Sequence, residues 1–477
     1  MKTIHSIFAG SAGLLLVVAA GCTVGPNYQP PKTAAPAQWS AALAAGETNR
    51  AGDPAGWWRK FNDPQLDSLV DQAVRSNLDL RIAGARVREA RAQYRIAAAD
   101  QWPTANADGS YARQNQSKHQ PLLGAMPLPA SVPFENDVYQ AGFDAAWEVD
   151  VFGGTRREVE AGRAEVAATE LDRRTAVVTL LGEIARNYAD VRGYQRRLAL
   201  ANANLKIQAD TLAITQDRFT NGLTSDLDVQ QASTYLSTTR ANVPALEQAL
   251  ETSMRRLGVL LGQPPGALLA ELAPEKPIPA ALPEVPVGLP SDLLRRRPDV
   301  QAAERKLAAA TARIGIATAD LFPKFSLTGS VGFESVGASD WFTAGSRFWS
   351  AGPTVQWKIF DAGRIRANIR VQDARQEQVL ANYEKVVLTS FEEVENALTA
   401  YAKEQTRRQA LADAEKSSQE SLHLANQLYT EGLVNFINVL DAERSLFQTQ
   451  DALAQSDLAV TKNLIALYKS LGGGWDN

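Results

Sequence analysis

The chain has 477 residues, 45% of them apolar, with 49 Lys and Arg against 53 Asp and Glu. A net charge of -4 speaks against nucleic acid as a partner, and a lone cysteine excludes a disulfide scaffold. Three histidines leave little for a His-based metal or catalytic centre, and no apolar run reaches the 18 residues of a membrane-spanning helix.

In chain order, residues 1–21 read as a secretory leader. Lys2 gives a positive start, residues 7–20 are uncharged and mostly apolar, and Ala19, Ala20 and Gly21 are small residues suited to cleavage before Cys22. A cysteine directly after such a site is the pattern of a bacterial lipoprotein, so Cys22 is expected to carry lipid. Ala19 stands where Leu is usual. Thr23, rather than Asp, follows the cysteine and favours sorting to the outer membrane.

Residues 22–64 form an N-terminal extension, and beyond them the chain is written twice. A shift of 220 places Asp79, Pro103, Gly109 and Ser110 on Asp299, Pro323, Gly329 and Ser330. A shift of 210 then places Gly142, Trp147, Gly153, Gly222 and Gly262 on Gly352, Trp357, Gly363, Gly432 and Gly472. Matches of Gly, Pro and Trp at a constant shift identify a tandem duplication. The repeats span 65–263 and 299–477. Between them, residues 264–298 hold nine of the 23 prolines and read as an extended connector.

Each repeat has the same order of elements. The first opens with a proline-free, Ala- and Arg-rich helix over 65–101. A strand pair follows, at about 104–113 and 138–152. The second strand alternates strictly, with Tyr139, Phe143, Trp147 and Val149 on one face and Gln140, Asp144 and Glu148 on the other. In the second repeat the strands are 325–334 and 349–360. Then come helices without proline over 154–221 and 363–431, each about 100 Å long at 1.5 Å per residue. Val177, Ile184, Val191, Leu198, Leu205, Leu212 and Phe219 recur every seven residues, the spacing of a coiled-coil seam. Turns at Gly222 and Gly432 lead into return helices ending at Leu261 and Leu471, so the hairpins span 154–261 and 363–471.

Strands of this length and two-faced character suit a bilayer crossing of about 9–11 residues. Open edges are not tolerated in lipid and single-chain barrels need about eight strands, so four strands per chain imply completion by other chains. The polar faces would then line a water-filled lumen.

These residues resemble one family. The segment from Cys22 to Tyr28 with Pro30 and Pro31, the Trp57–Pro64 stretch, and residues 292–307 with Ala319 to Pro323 are similar to the outer-membrane factor lipoproteins of TolC/OprM type, NodT subgroup. The resemblance implies a mainly α fold with a membrane β-barrel: a homotrimer whose four strands per chain make twelve, continued by an α-helical tunnel of long antiparallel coiled coils. It implies a lipid-anchored exit duct in the outer membrane of a Gram-negative bacterium. The duct would take substrate from an inner-membrane RND-type pump through a periplasmic adaptor, without enzymatic activity and without a cofactor beyond the lipid on Cys22.

The family's adaptor-contacting tips match Gly222, Leu223 and Thr224, and Gly432, Leu433 and Val434. Its periplasmic gate matches Asp441, with Asn438 one turn earlier, Asp228 as the repeat counterpart of Asn438, and Tyr429 and Arg444 as link partners. Asn438 replaces an Asp, and Val434 an Arg, found in some relatives. Read without the family, the tip glycines are helix caps, and Asp441 with Arg444 is a surface pair worth roughly 0.2–0.5 kcal/mol. No phosphate-loop, zinc-protease or serine-hydrolase motif occurs. The alternative function is a periplasmic coiled-coil lipoprotein that scaffolds and forms no pore.

Overall fold

The computed structural model describes residues 23–41, 47–48, 55–115, 117, 135–279 and 285–475. The leader and Cys22 lie outside the described residues.

Helix α1 (Pro64–Ser76) starts where the Asp63 carboxylate accepts hydrogen bonds from the Gln65 and Leu66 N–H groups, with Pro64 at the first helical position. The chain then breaks at Asn77 before α2 (Leu78–Ala99). The sequence suggests one helix over 65–101, with no proline or glycine at the break. The break has a local and a tertiary part: the Asn77 amide oxygen accepts from the Leu80 N–H and so caps α2, and its nitrogen donates to the Leu260 carbonyl. Two hairpin helices, α3 (Gly154–Thr220) and α4 (Asp226–Leu260), complete the first repeat. The second repeats the break at Arg297, between α5 (Pro290–Arg296) and α6 (Pro298–Ala319), and ends in α7 (Arg364–Thr430) and α8 (Phe436–Ser470).

The connector is less extended than its proline content suggests. It holds a single turn, Leu269–Leu272, and the whole of α5, because Pro290 stands at a helix start where its missing N–H costs nothing. Val285–Pro286 also pairs in parallel with Glu47–Thr48.

Four antiparallel strands lie in the order β1 (Thr104–Asn115), β2 (Glu135–Val149), β3 (Lys324–Ser335) and β4 (Arg347–Gln356). The weakly alternating β1 is a full strand. β4 stops short of the expected 360 because its partner β3 begins at Lys324, opposite Gln356. The two hairpins share one register: Gly109 opposes Ala141 as their counterparts Gly329 and Ala351 oppose each other. Odd-numbered residues face odd throughout the sheet. One face therefore carries Phe143, Trp147, Leu327, Val331, Trp349 and Val355, all exposed, and the other Asn106, Asp108, Asp144, Ser330 and Thr354.

The chain divides into two compact units, each drawing on both repeats. The first (Met1–Pro31, Arg88–Ala167, Glu304–Ala381) contains the sheet. Its N-terminal segment is held beside the end of β2. The Val24 N–H donates to the Phe152 carbonyl, and the buried Arg157 guanidinium donates to the Val24 and Gly25 carbonyls and to Asn27 Oδ1. Gly25, at φ 83°, lies so close to Gly315 that a Cβ would stand 2.5 Å from its Cα.

The second unit (Lys32–Val87, Ala168–Ala303, Asn382–Asn477) holds the main core, with Trp57, Trp58, Leu66, Leu69, Ile184 and Tyr188 among its most buried side chains. The Trp57 and Tyr468 rings stack at 5.3 Å, which makes the tryptophan pair of the N-terminal signature a packing element. Arg297, in the most family-like stretch, is 8% exposed and donates to both Asp299 oxygens, to Glu393 and to the Ser470 carbonyl.

The heptad seam of α3 is buried at Val177, Ile184 and Val191 and then drifts. Farther on, Ala201, Asn204, Gln208 and Thr215 are buried while Phe219 is exposed. Ala201, Gln208 and Thr215 themselves recur every seven residues, so the contact keeps a heptad spacing but passes to a stripe three residues further along, with Leu198, Leu205 and Leu212 left half-buried.

Candidate functional site: the hairpin tips and the gate residues

Both hairpins turn in the same way. The Gly222 N–H donates to the Phe219 carbonyl and the Leu223 N–H to the Arg218 carbonyl; in the second repeat Gly432 donates to Tyr429 and Leu433 to Leu428, the last at 2.8 Å. This double bond pattern is a Schellman motif, which requires a left-handed residue, and the glycines sit at φ 72° and 76°. A Cβ at either glycine would meet nothing within 4 Å, so conformation rather than space selects glycine here. The following leucines, Leu223 and Leu433, project into solvent at 66% and 67% exposure. Thr224 and Val434 are half-buried beside them.

The helices that leave the two turns begin differently. Ser225 and Asp228 form a reciprocal capping box at the start of α4, and the Asp228 carboxylate also accepts from the Thr224 hydroxyl. Partial burial pushes the Asp228 carboxyl up, but the hydrogen bonds from Thr224 and Ser225 outweigh it and hold the group below the ordinary aspartate range. Within the chain Asp228 is thus engaged in capping rather than in a link to another helix. Asn438, its counterpart, donates to the Asn435 carbonyl in the first turn of α8.

One turn on, Arg444 donates to Asp441 at 2.9 Å, and both side chains are more than half exposed. An exposed pair of this kind is weak and exchanges partners readily. Asp441 and Arg444 line an open cleft of about 840 Å³ between α4 and α8, with Tyr235, Thr238, Asn242 and Phe447. Tyr429 joins neither of them within the chain. Its ring packs on Phe436 at 5.5 Å, the Arg218 guanidinium lies 4.9 Å from the ring centre, and its buried hydroxyl has no hydrogen-bond partner among the described residues.

Several groups here escape a sequence reading. Arg197 forks onto Asp451 at 2.7 and 3.1 Å and Lys462 reaches Asp190 at 2.8 Å, tying α3 to α8 through residues more than 250 positions apart. No periodicity reports such pairs. Glu443, 6% exposed, accepts from Thr211 at 3.1 Å, and burial pushes its carboxyl above the ordinary glutamate range. A signal did exist for Glu443: it falls on the i+3, i+4, i+7 stripe set by Phe436, Val439 and Leu440, where a carboxylate is out of place. His423, on α7, is exposed, and the Arg295 to Arg297 run belongs to a helix end and the core.

The sequence model of the outer membrane efflux protein family matches residues 69–263 and 289–473, two segments that coincide with the two repeats. The chain belongs to the outer membrane efflux protein family. It is 34% identical over 459 residues to Nodulation protein T of Rhizobium leguminosarum bv. trifolii, covering 96% of this chain and 95% of that one. It is also 34% identical over 468 residues to the solvent efflux pump outer membrane protein SrpC of Pseudomonas putida, at 96% and 97% coverage. Among solved structures, the outer-membrane channel OprN matches with a TM-score of 0.89 and 38% identity, over 96% of this chain and 100% of that one. The protein is therefore an outer-membrane exit channel of an efflux system and not an enzyme, and the pore-free scaffold is set aside. Its strands are barrel strands and its paired long helices are those of a helical tunnel.

Proposed function

We propose that three copies of this chain form a passive duct across the outer membrane and periplasm, the terminal part of a tripartite pump for small toxic compounds. The observation that carries this reading is the sheet: all four strands put apolar side chains on one face, and both outer strands, β1 and β4, are left with a free edge. Unpaired edges cannot face hydrocarbon, so other copies complete the barrel, and three copies supply twelve strands. A lipid on Cys22 agrees with the docking of Thr23 beside Gly153, just past the end of β2, where an anchor would meet the membrane surface.

The exposed leucine pair at the tips suits an apolar contact with a periplasmic adaptor, which would receive substrate from an RND-type inner-membrane pump. Asp441 and Arg444, joined in an exposed pair, suit a gate that exchanges ion pairs when the adaptor docks. Relatives are named for solvents, toluene, antibiotics and cations, so selection among substrates is assigned to the pump. Native mass spectrometry of the detergent-solubilised protein tests the assembly: a trimer of lipid-bearing chains is expected, and a folded monomer would refute it. Restored solvent tolerance in a host lacking its own channel tests the export role, and sensitivity with normal trimer levels would count against it.

A further inference from the structure

The second compact unit carries a local excess of positive charge that neither the gate nor the tips use. An open basin of about 690 Å³ is lined by Arg59, Arg75, Arg81, Arg173 and Arg174, with Asp71 as its one carboxylate among the described residues. Five guanidiniums against one carboxylate run counter to a chain whose net charge is -4. The arginines come from separate segments. Arg59 belongs to the turn that holds the tryptophan pair, Arg75 to the last turn of α1, Arg81 to the first turn of α2, and Arg173 with Arg174 to α3.

Little within the chain answers these charges. Among the described residues the side chains of Arg75, Arg81 and Arg173 make no hydrogen bond and no ion pair. Arg174 lies over the Trp475 ring, 4.6 Å from its centre, a contact that leaves its charge uncompensated. Trp58 also lines the basin; it is 2% exposed, and its indole N–H has no acceptor among the described residues. α2 starts on the same wall, where Asn77 and Leu80 stand, and brings the positive end of a 22-residue helix. Guanidinium and indole groups donate and do not accept, so the basin is rich in donors and nearly without acceptors. Crowded like charges repel and a buried donor without a partner is costly; an anion relieves both.

We propose that this basin binds the carboxylate-bearing peptides of the cell wall and so ties the duct to the peptidoglycan mesh that it passes through. The proposal rests on the periplasm-crossing trimer above and adds a partner to it. The planar fork of a guanidinium matches a carboxylate with two parallel N–H···O bonds. Peptidoglycan stem peptides carry several free carboxylates along one chain, which suits guanidiniums set on four separate segments; a single phosphate reaches few of them at once. The depth of Trp58 favours a chain that can enter the basin over the flat headgroup layer of a membrane. A chain that is acidic overall repels a polyanion except where such a local field draws it in.

The test is co-sedimentation of the full-length protein, in detergent, with purified protein-free sacculi. The wild type should sediment at low salt and be released at high salt. Arg75→Ala, Arg81→Ala and Arg173→Ala combined should weaken binding about tenfold, the sum of three modest exposed ion pairs. Sacculi whose carboxyl groups have been amidated should lose the wild type to the same degree. Orthophosphate at matched ionic strength should displace the protein no better than chloride. A triple variant that sediments like the wild type, or amidated sacculi that bind as well as native ones, would overturn the proposal. Preferential displacement by orthophosphate would overturn it too, by making the basin a phosphate site. Native mass spectrometry of the triple variant should still show a trimer; a monomer would mean that the basin joins copies of the chain, and would overturn the cell-wall assignment. A wild type that is itself monomeric would instead refute the trimeric duct.

Discussion

Replacing Gly432 by alanine perturbs the second hairpin tip through conformation alone. The residue sits at φ 76°, and an added Cβ meets nothing within 4 Å, so no steric cost enters. What remains is the cost of a left-handed L-residue, about 1–2 kcal/mol. Global unfolding of a large assembly would hide a change of that size, but local opening of the tip would not. The amides that close the motif are those of residue 432, bonded to Tyr429, and of Leu433, bonded to Leu428. Hydrogen exchange at these two amides should accelerate about 5- to 30-fold in Gly432→Ala, the factor equivalent to that energy. Asparagine tolerates the left-handed region, so Gly432→Asn should stay near wild type. The same pair of substitutions at Gly222, at φ 72°, should behave alike. Unchanged exchange in the alanine variants, or asparagine as harmful as alanine, would refute the reasoning.

Asp441→Ala should raise single-channel conductance by freeing Arg444 and loosening the closed end; currents equal to wild type would remove Asp441 from the gate. Glu443→Gln should stabilise the protein at neutral pH by about 1 kcal/mol, because an ionised carboxylate is held there among apolar and neutral groups. The native carboxyl titrates above its unfolded value, so stability from Glu443 is present below the unfolded pKa and lost as pH rises through the raised native one. Thermal melts at pH 4 and pH 7.5 check this, since the gain should appear only at the higher pH. Arg297→Met should cost about 3 kcal/mol, the low end for breaking a buried ion pair, because its partners Asp299 and Glu393 keep some access to water. A melting temperature within a degree of wild type would contradict the role of Arg297 as a packing hub.

Much of this fold is legible in the sequence because its signals are local and repeated. Gly222 and Gly432 mark both turns, strict alternation marks β2, and the shift between repeats supplies β1 where alternation is weak. The break at Asn77 is different in kind: Asn77 caps α2 locally by accepting from the Leu80 N–H, but its amide is also held by the Leu260 carbonyl, a partner that no local pattern announces. The heptad of α3 misleads beyond Val191 because the contact passes to the stripe of Ala201, Gln208 and Thr215, whose polar members give no hydrophobic signal, and Phe219 is left in solvent. At the candidate site the turns and the exposed Asp441 follow from the sequence. The roles of Asp228 and Tyr429 within the chain do not, since each is set by a competing local partner: Thr224 and Ser225 for Asp228, Phe436 and Arg218 for Tyr429.

Current through a planar bilayer tests most directly whether the assembled chains enclose a continuous passive duct. The reconstituted wild-type protein should give discrete single-channel steps, with a reversal potential in a salt gradient that reports cation preference from Asp108, Asp144 and Glu148 on the polar face of the sheet. A folded, membrane-inserted assembly that passes no current, in the wild type and in Asp441→Ala alike, would contradict it.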